Sequence, residues 1–255
     1  MREPILNIPS VVGLTLATLV LVHLGRLLLS PEADFQFVLT FAFVPARTMG
    51  DQAALAFLPG GEGARWWTLI TYAFLHGDGM HLGVNAFWIA AFGTPVARRF
   101  GTARFLAISA ASAVAGILMH LAIYPFDTLP VIGASAAASG MMGAAARFVF
   151  AAGGPLDMMR RLDPLAPLQP AEPLSKALVN PRVIGFVAIW MGLNVLFGLG
   201  ASAVPGVEGT VAWQAHIGGF LAGLVAFPLF DGATAARRQA KLDELLAADR
   251  ERYLE

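Results

Sequence analysis

Cysteine is absent from this 255-residue chain, which excludes disulfides, thiolate nucleophiles and thiolate metal sites together. Charge is scarce as well. Asp, Glu, Lys and Arg make up 13% of the residues, against roughly 25% in a soluble domain. The formal net charge is +0, so no electrostatic pull on nucleic acid or on an acidic substrate follows from it. Lysine is nearly missing; Lys176 and Lys241 are the only two. What is abundant is apolar: 57% of residues are hydrophobic, and mean hydropathy is +0.67. The few charges gather in short clusters between apolar runs of about 20 residues, the length that crosses a bilayer. The composition predicts an integral membrane protein.

Six apolar segments can be drawn, roughly 9–30, 79–97, 103–124, 131–151, 182–201 and 211–230. The expected fold is an all-α polytopic membrane protein, a six-helix bundle over residues 1–231, with a charged helical tail over 232–255. The first run, Ile8 to Leu29, exceeds a signal-peptide core and lacks a clear small-residue cleavage site, so it is read as a retained span. The connection 31–78 contains FQFVLTFAFVPAR and WWTLITYAF, apolar and aromatic enough to lie in the membrane interface. The connection 152–181 is studded with prolines and reads as an irregular linker. With the N-terminus inside, fourteen of the Lys and Arg residues fall on inner segments, and only Arg26, Arg47 and Arg65 on outer ones. That bias places both termini in the cytoplasm. Alanine- and arginine-rich composition with almost no lysine points to a bacterial inner membrane.

Strongly polar side chains inside spans are costly and therefore functional candidates. His81 and Asn85 stand near the start of the second span, Ser135 near the start of the fourth and His216 near the start of the sixth. His23 and Arg26 lie close enough to the end of the first span to snorkel. The second, fourth and sixth spans run outside to inside, so the four candidates share one depth near the outer face. Singly, each has a plainer reading, as a packing serine, a hydrogen-bonded structural histidine or a helix-bridging asparagine. A common depth is hard to reconcile with four such accidents. His81 and Asn85, at i and i+4, project from one helix face. His216, Gly219 and Gly223 share a face, and the glycine pair admits a close neighbour. Ala136, Gly140, Gly143 and Ala144 form the matching surface on the fourth span. Close packing of these two spans would bring Ser135 to His216, a base able to take the hydroxyl proton. His81 and Asn85 would then supply donors to an oxyanion, beside the Ser135 N–H; removing one such donor costs about 10²–10³ in rate.

The segment HGDGMHLGVN resembles the HxxxxHxxxN motif of the rhomboid intramembrane serine proteases. GAS at 133–135 resembles the start of their GxSG motif, and AHIGGFLAG is similar to their AHxxG segment. The resemblance covers residues 9–231 and leaves the tail outside. It implies a Ser135–His216 dyad, an oxyanion hole lined by His81 and Asn85, and His76 and Gly133 as structural residues near the site. It also implies that no cofactor or metal is needed. The implied partners are the lipid bilayer and membrane proteins cleaved in or near transmembrane helices, through a cavity open to the outer face. The fifth span, with Trp190 and Asn194, is where the family places substrate gating.

Three positions depart from the family pattern. Ala136 stands where the family has glycine, adding a methyl group at the oxyanion pocket or helix start. Ser139 stands where many members stack an aromatic ring on the catalytic histidine. Trp67-Thr68 replaces a Trp-Arg pair. Ser139-Gly140 is itself a Ser-Gly pair, but only Ser135 has a glycine two residues before it. A non-catalytic rhomboid-like protein that binds transmembrane helices for quality control or trafficking is the second reading, favoured by Ala136. A transporter or channel would place ionisable groups at mid-membrane and repeat its half-structure; neither is present in the sequence.

Overall fold

The computed structural model describes residues 8–49, 58–156, 163–199 and 212–252. The expected span ends at 200, 201 and 211, together with Arg2, Arg160, Arg161 and the last three residues of the tail, lie outside them. Among the described residues every regular element is a helix, apart from one isolated antiparallel bridge between Phe43 and Val131.

The first apolar run becomes α1 (Ser10–Arg26). Its end departs from the snorkelling expected of His23 and Arg26. His23 is buried, and Arg26 grips both oxygens of Asp34 (2.7 and 3.0 Å) and donates to the His76 carbonyl at 2.7 Å. The connection that follows is ordered by local chemistry. Ser30 caps α2 (Pro31–Phe41) by accepting the Ala33 N–H, with Pro31 preset for the first turn. α3 (Ala64–Thr71) packs beneath it; Trp67 Nε1 donates to the Thr40 carbonyl and Thr71 Oγ1 to that of Phe41. Trp66 stays 76% exposed, an aromatic side chain placed as an interfacial anchor would be.

The second run is not one helix. α4 (Gly79–Trp88) passes through a π-helical turn, Ile89–Gly93, into α5 (Thr94–Phe100). Pro95 has no N–H to return to the preceding turn, which accounts for the break in the hydrogen-bond ladder. α6 (Thr102–Ile123), α8 (Pro181–Leu199) and α9 (Trp213–Asp231) match the third, fifth and sixth runs. Among the described residues α6 and α9 are the two helices long and apolar enough to cross a membrane by length and composition.

The fourth run gives the clearest departure. Its helix, α7 (Ser135–Ala145), has only 11 residues, about 16 Å at 1.5 Å per residue. Every residue from Ala136 to Ala145 is buried. This helix is the axis of the bundle, enclosed by α6 and α9, and its N-terminus is reached by the non-helical segment Val131–Ala134 rather than starting at the surface. α10 (Thr234–Arg252) carries the charged tail, and the described part of the Pro-rich linker holds a 3-10 turn at Ala166–Leu168 and a short turn of α-helix at Leu174–Ala177.

Candidate active site

The segment entering α7 is fixed before it reaches Ser135. Val131 exchanges both backbone hydrogen bonds with Phe43, Gly133 N–H donates to the Tyr72 carbonyl at 3.0 Å, and Ala134 N–H donates to His76 Nε2 at 3.4 Å. Gly133 sits at φ +117°, and a Cβ there would lie 2.7 Å from His81 Nε2 and 3.4 Å from Asn85 Nδ2. Both the backbone conformation and the space demand glycine. The chain thus runs directly against His81 and Asn85 two residues before the serine. Ala134 gives no side-chain cap to α7, so the N–H groups of its first turn have no helical carbonyl to pair with. Those donors begin at Ser135.

His81 and Asn85 lie on α4, whose start is set by Asp78: its carboxylate accepts the His81 N–H at 2.8 Å. That bond holds the Asp78 carboxyl below its usual range. Asn85 is buried, and its Nδ2 finds no partner among the described residues. A buried amide donor left without a partner is costly unless something else is meant to accept from it. His76 is fully buried and meets the His81 ring edge-on, centroids 5.1 Å apart. Burial first, then the neighbouring His81, lowers its pKa to about 4, so it remains a neutral acceptor for the Ala134 N–H.

His216 is carried by the α9 face that lies on α7. A Cβ at Gly219 would strike the Ala136 carbonyl, and one at Gly223 would strike the Gly140 carbonyl. Equal four-residue steps on both helices mean that they run parallel, backbone on backbone. Continuing that register one turn back carries the His216 turn of α9 toward the Gly133–Ser135 end of α7. His216 also lies within electrostatic range of His81. Its Nδ1 is bonded to Oδ1 of Asn194 on α8, a partnership the sequence reading missed by treating Asn194 as part of a gate. A polar residue one turn beyond Trp190 on an apolar helix was the available signal. The rotation of α8 against α9, which decides the contact, is not written in either segment.

The departures also find places. The Ala136 methyl points at α6: a Cβ on Gly116 would lie 2.6 Å from it. It fills the space of an absent side chain rather than facing His81 and Asn85. Ser139 is buried one turn further into α7. Trp67 and Thr68 belong to α3, away from the cluster. Ser135, His81 and His216 are half-buried, whereas Asn85, Asn194 and His76 are buried. A small reachable set of polar groups is therefore backed by an unreachable one.

The chain is similar in sequence to known proteins. The chain is 40% identical over 79 residues to rhomboid protease GluP of Bacillus subtilis, covering 31% of this chain and 15% of that protein. It is 37% identical over 84 residues to a putative rhomboid protease, YdcA, of the same organism, covering 33% and 42%. To rhomboid-like protease 3 of Toxoplasma gondii it is 31% identical over 88 residues, covering 34% and 33%. The matches thus span less than half the length of each of these relatives. The Rhomboid domain model matches residues 63–231, a stretch that holds His76, His81, Asn85, Ser135 and His216, and on that ground the chain belongs to the rhomboid family.

Proposed function

We propose that this membrane protein is an intramembrane serine endopeptidase that hydrolyses peptide bonds in or near transmembrane helices of other membrane proteins. The observation that carries the reading is the convergence at Gly133. The chain presses against His81 Nε2 and the unpartnered Asn85 Nδ2, and Ser135 follows at an uncapped helix start, with His216 carried on the helix packed parallel to it.

The chemistry needs little more. Ser135 Oγ adds to the scissile carbonyl carbon while its proton passes to the His216 ring. The oxygen that gains charge accepts from Asn85 Nδ2, His81 and the Ser135 N–H. The C–N bond then breaks, and His216 returns the proton to the departing amine. Water adds to the acyl-serine, giving a proton to His216; the bond to Ser135 Oγ breaks, Oγ takes that proton back, and the product leaves as a carboxylic acid that ionises in water. In the proposed setting six spans place both termini in the cytoplasm of a bacterial inner membrane, and the site opens toward the outer face. Exposed Trp66, Phe35 and Met49 on the first connection support an interfacial position for that segment.

Reconstituted protein is expected to cut a single-span substrate bearing small residues near the cleavage point. Ser135→Ala and His216→Ala are each expected to reduce cleavage to background, read by substrate mass. Cleavage that survives in Ser135→Ala but disappears in Ser139→Ala would move the nucleophile by one turn. A folded wild-type protein that no fluorophosphonate probe labels would replace the protease with a helix-binding, non-catalytic role. The geometry of Ala136, whose methyl group faces Gly116, gives that role no support.

A further inference from the structure

We infer that Asn194 is the positioning residue of the general base, so that the working unit is Ser135–His216–Asn194 rather than a dyad; this rests on the protease reading above. The inference comes from how the Asn194 amide is committed. Asn194 is buried, and its Nδ2 donates to the Trp190 carbonyl at 2.7 Å, one turn back along α8. That bond fixes the amide's orientation and turns Oδ1 to the His216 ring, where it pairs with Nδ1. An amide oxygen only accepts, so Nδ1 must carry the hydrogen. Neutral imidazole holds one N–H, which leaves Nε2 bare and able to take the Ser135 proton. The acceptor thus selects the reactive tautomer and holds the ring plane, the service a carboxylate performs in other serine hydrolases. Trp190, stacked on Phe220 with centroids 4.9 Å apart, fixes the same turn of α8 against α9.

The position also has a consequence for the fifth helix. α8 is peripheral: Ile184, Ile189 and Leu193 are exposed, and a Cβ at Gly185 or Gly192 would meet nothing within 4 Å. A peripheral helix that supplies the partner of His216 links its own placement to the readiness of the base. Displacing α8 would release Nδ1 and let the ring turn.

The test compares three variants in reconstituted protein, with thermal midpoints measured for each. Asn194→Leu removes the acceptor at nearly constant volume, and Asn194→Ala removes it without a branched side chain, so one reports even if the other fails to fold. Both are expected to lower kcat about 10- to 100-fold, with KM within about twofold, and to slow fluorophosphonate labelling of Ser135 by a similar factor. Asn194→Asp keeps an acceptor for Nδ1–H but gives up the donor to the Trp190 carbonyl, and is expected to fall between wild type and Asn194→Leu. Wild-type kcat in both Leu and Ala variants would overturn the inference. So would an Asp variant as impaired as Leu, or a loss confined to KM. Ser135→Ala and His216→Ala run alongside; cleavage persisting in those would instead overturn the protease reading.

Discussion

At the scale of single residues, the methyl group of Ala136 is explained by a glycine on another helix. It occupies the room left by Gly116, and α6 and α7 close over it. Ala136→Gly is therefore expected to give no gain in cleavage rate, with kcat/KM within about twofold. It should lower the thermal midpoint, because glycine in a helix costs roughly 0.5–1 kcal/mol relative to alanine and a void is left besides. A large gain in rate would mean that the methyl does reach the oxyanion pocket. His76 makes a second prediction at this scale. Its folded pKa of about 4 lies below the ordinary 6.5. The unfolded chain takes up a proton first as pH falls, so the stability present above pH 6.5 is lost progressively down to about pH 4. In detergent, the thermal midpoint should fall across that window, and His76→Gln, which removes the titrating ring but keeps an amide oxygen able to accept the Ala134 N–H, should flatten the slope there. A variant whose slope equals that of wild type would assign the dependence to other groups.

At the scale of elements, the contact of α7 with α9 is made of carbonyls and hydrogens, with no side chain between. Gly223 is two turns from His216, yet Gly223→Val must push the Gly140 carbonyl away and separate the helices. Overpacking of this kind costs about 1–3 kcal/mol or more. Gly223→Val is expected to lose both thermal midpoint and kcat, although no chemical group is touched. Gly185→Ala and Gly192→Ala on α8 meet open space and should leave both readings unchanged or raise the midpoint slightly. The small-residue faces that carry this contact were legible in the sequence, as were His81, Asn85, Ser135 and His216, because polar residues stand out in apolar runs. Hydropathy also marked α6 and α9 to within about two residues. It failed on α7 for a physical reason. SAAASGMMGAA is apolar because protein surrounds it on every side, and a scale of transfer from water does not distinguish protein from lipid. The π-helical turn before Pro95 and the Asn194–His216 bond were hidden for another reason: the first depends on how a broken ladder is re-closed, the second on the relative rotation of two helices.

At the scale of the whole molecule, the proposed chemistry and the anchoring fall at opposite ends of the same helix. α9 begins near His216 and ends at Asp231, 15 residues later, or about 22 Å at helical rise. At that far end Arg99 from α5 grips both oxygens of Asp231 at 2.6 and 2.9 Å and donates to the carbonyls of Pro167 and Gln169. Its guanidinium also lies over the rings of Phe148 and Phe227, 4.7 and 5.2 Å from their centroids. Arg147 adds bonds to the carbonyls of Glu172 and Leu224. One fully buried arginine thereby ties the second span, the last span and the linker that the sequence read as irregular. Breaking a buried pair by removing one partner costs about 3–5 kcal/mol. Asp231 is partly exposed and keeps the Thr234 hydroxyl as a donor, which puts Arg99→Met toward the lower end of that range. The linker carbonyls, by contrast, lose their donor outright. Arg99→Met should lower the thermal midpoint and open the described linker to trypsin at Lys176, read by mass of the fragments. Well below its midpoint the variant should still cleave substrate within about twofold of wild type, because nothing at the Ser135 end has moved. A loss of kcat as deep as that of Gly223→Val, at a temperature where the protein remains folded, would show instead that the two ends of α9 act as one unit.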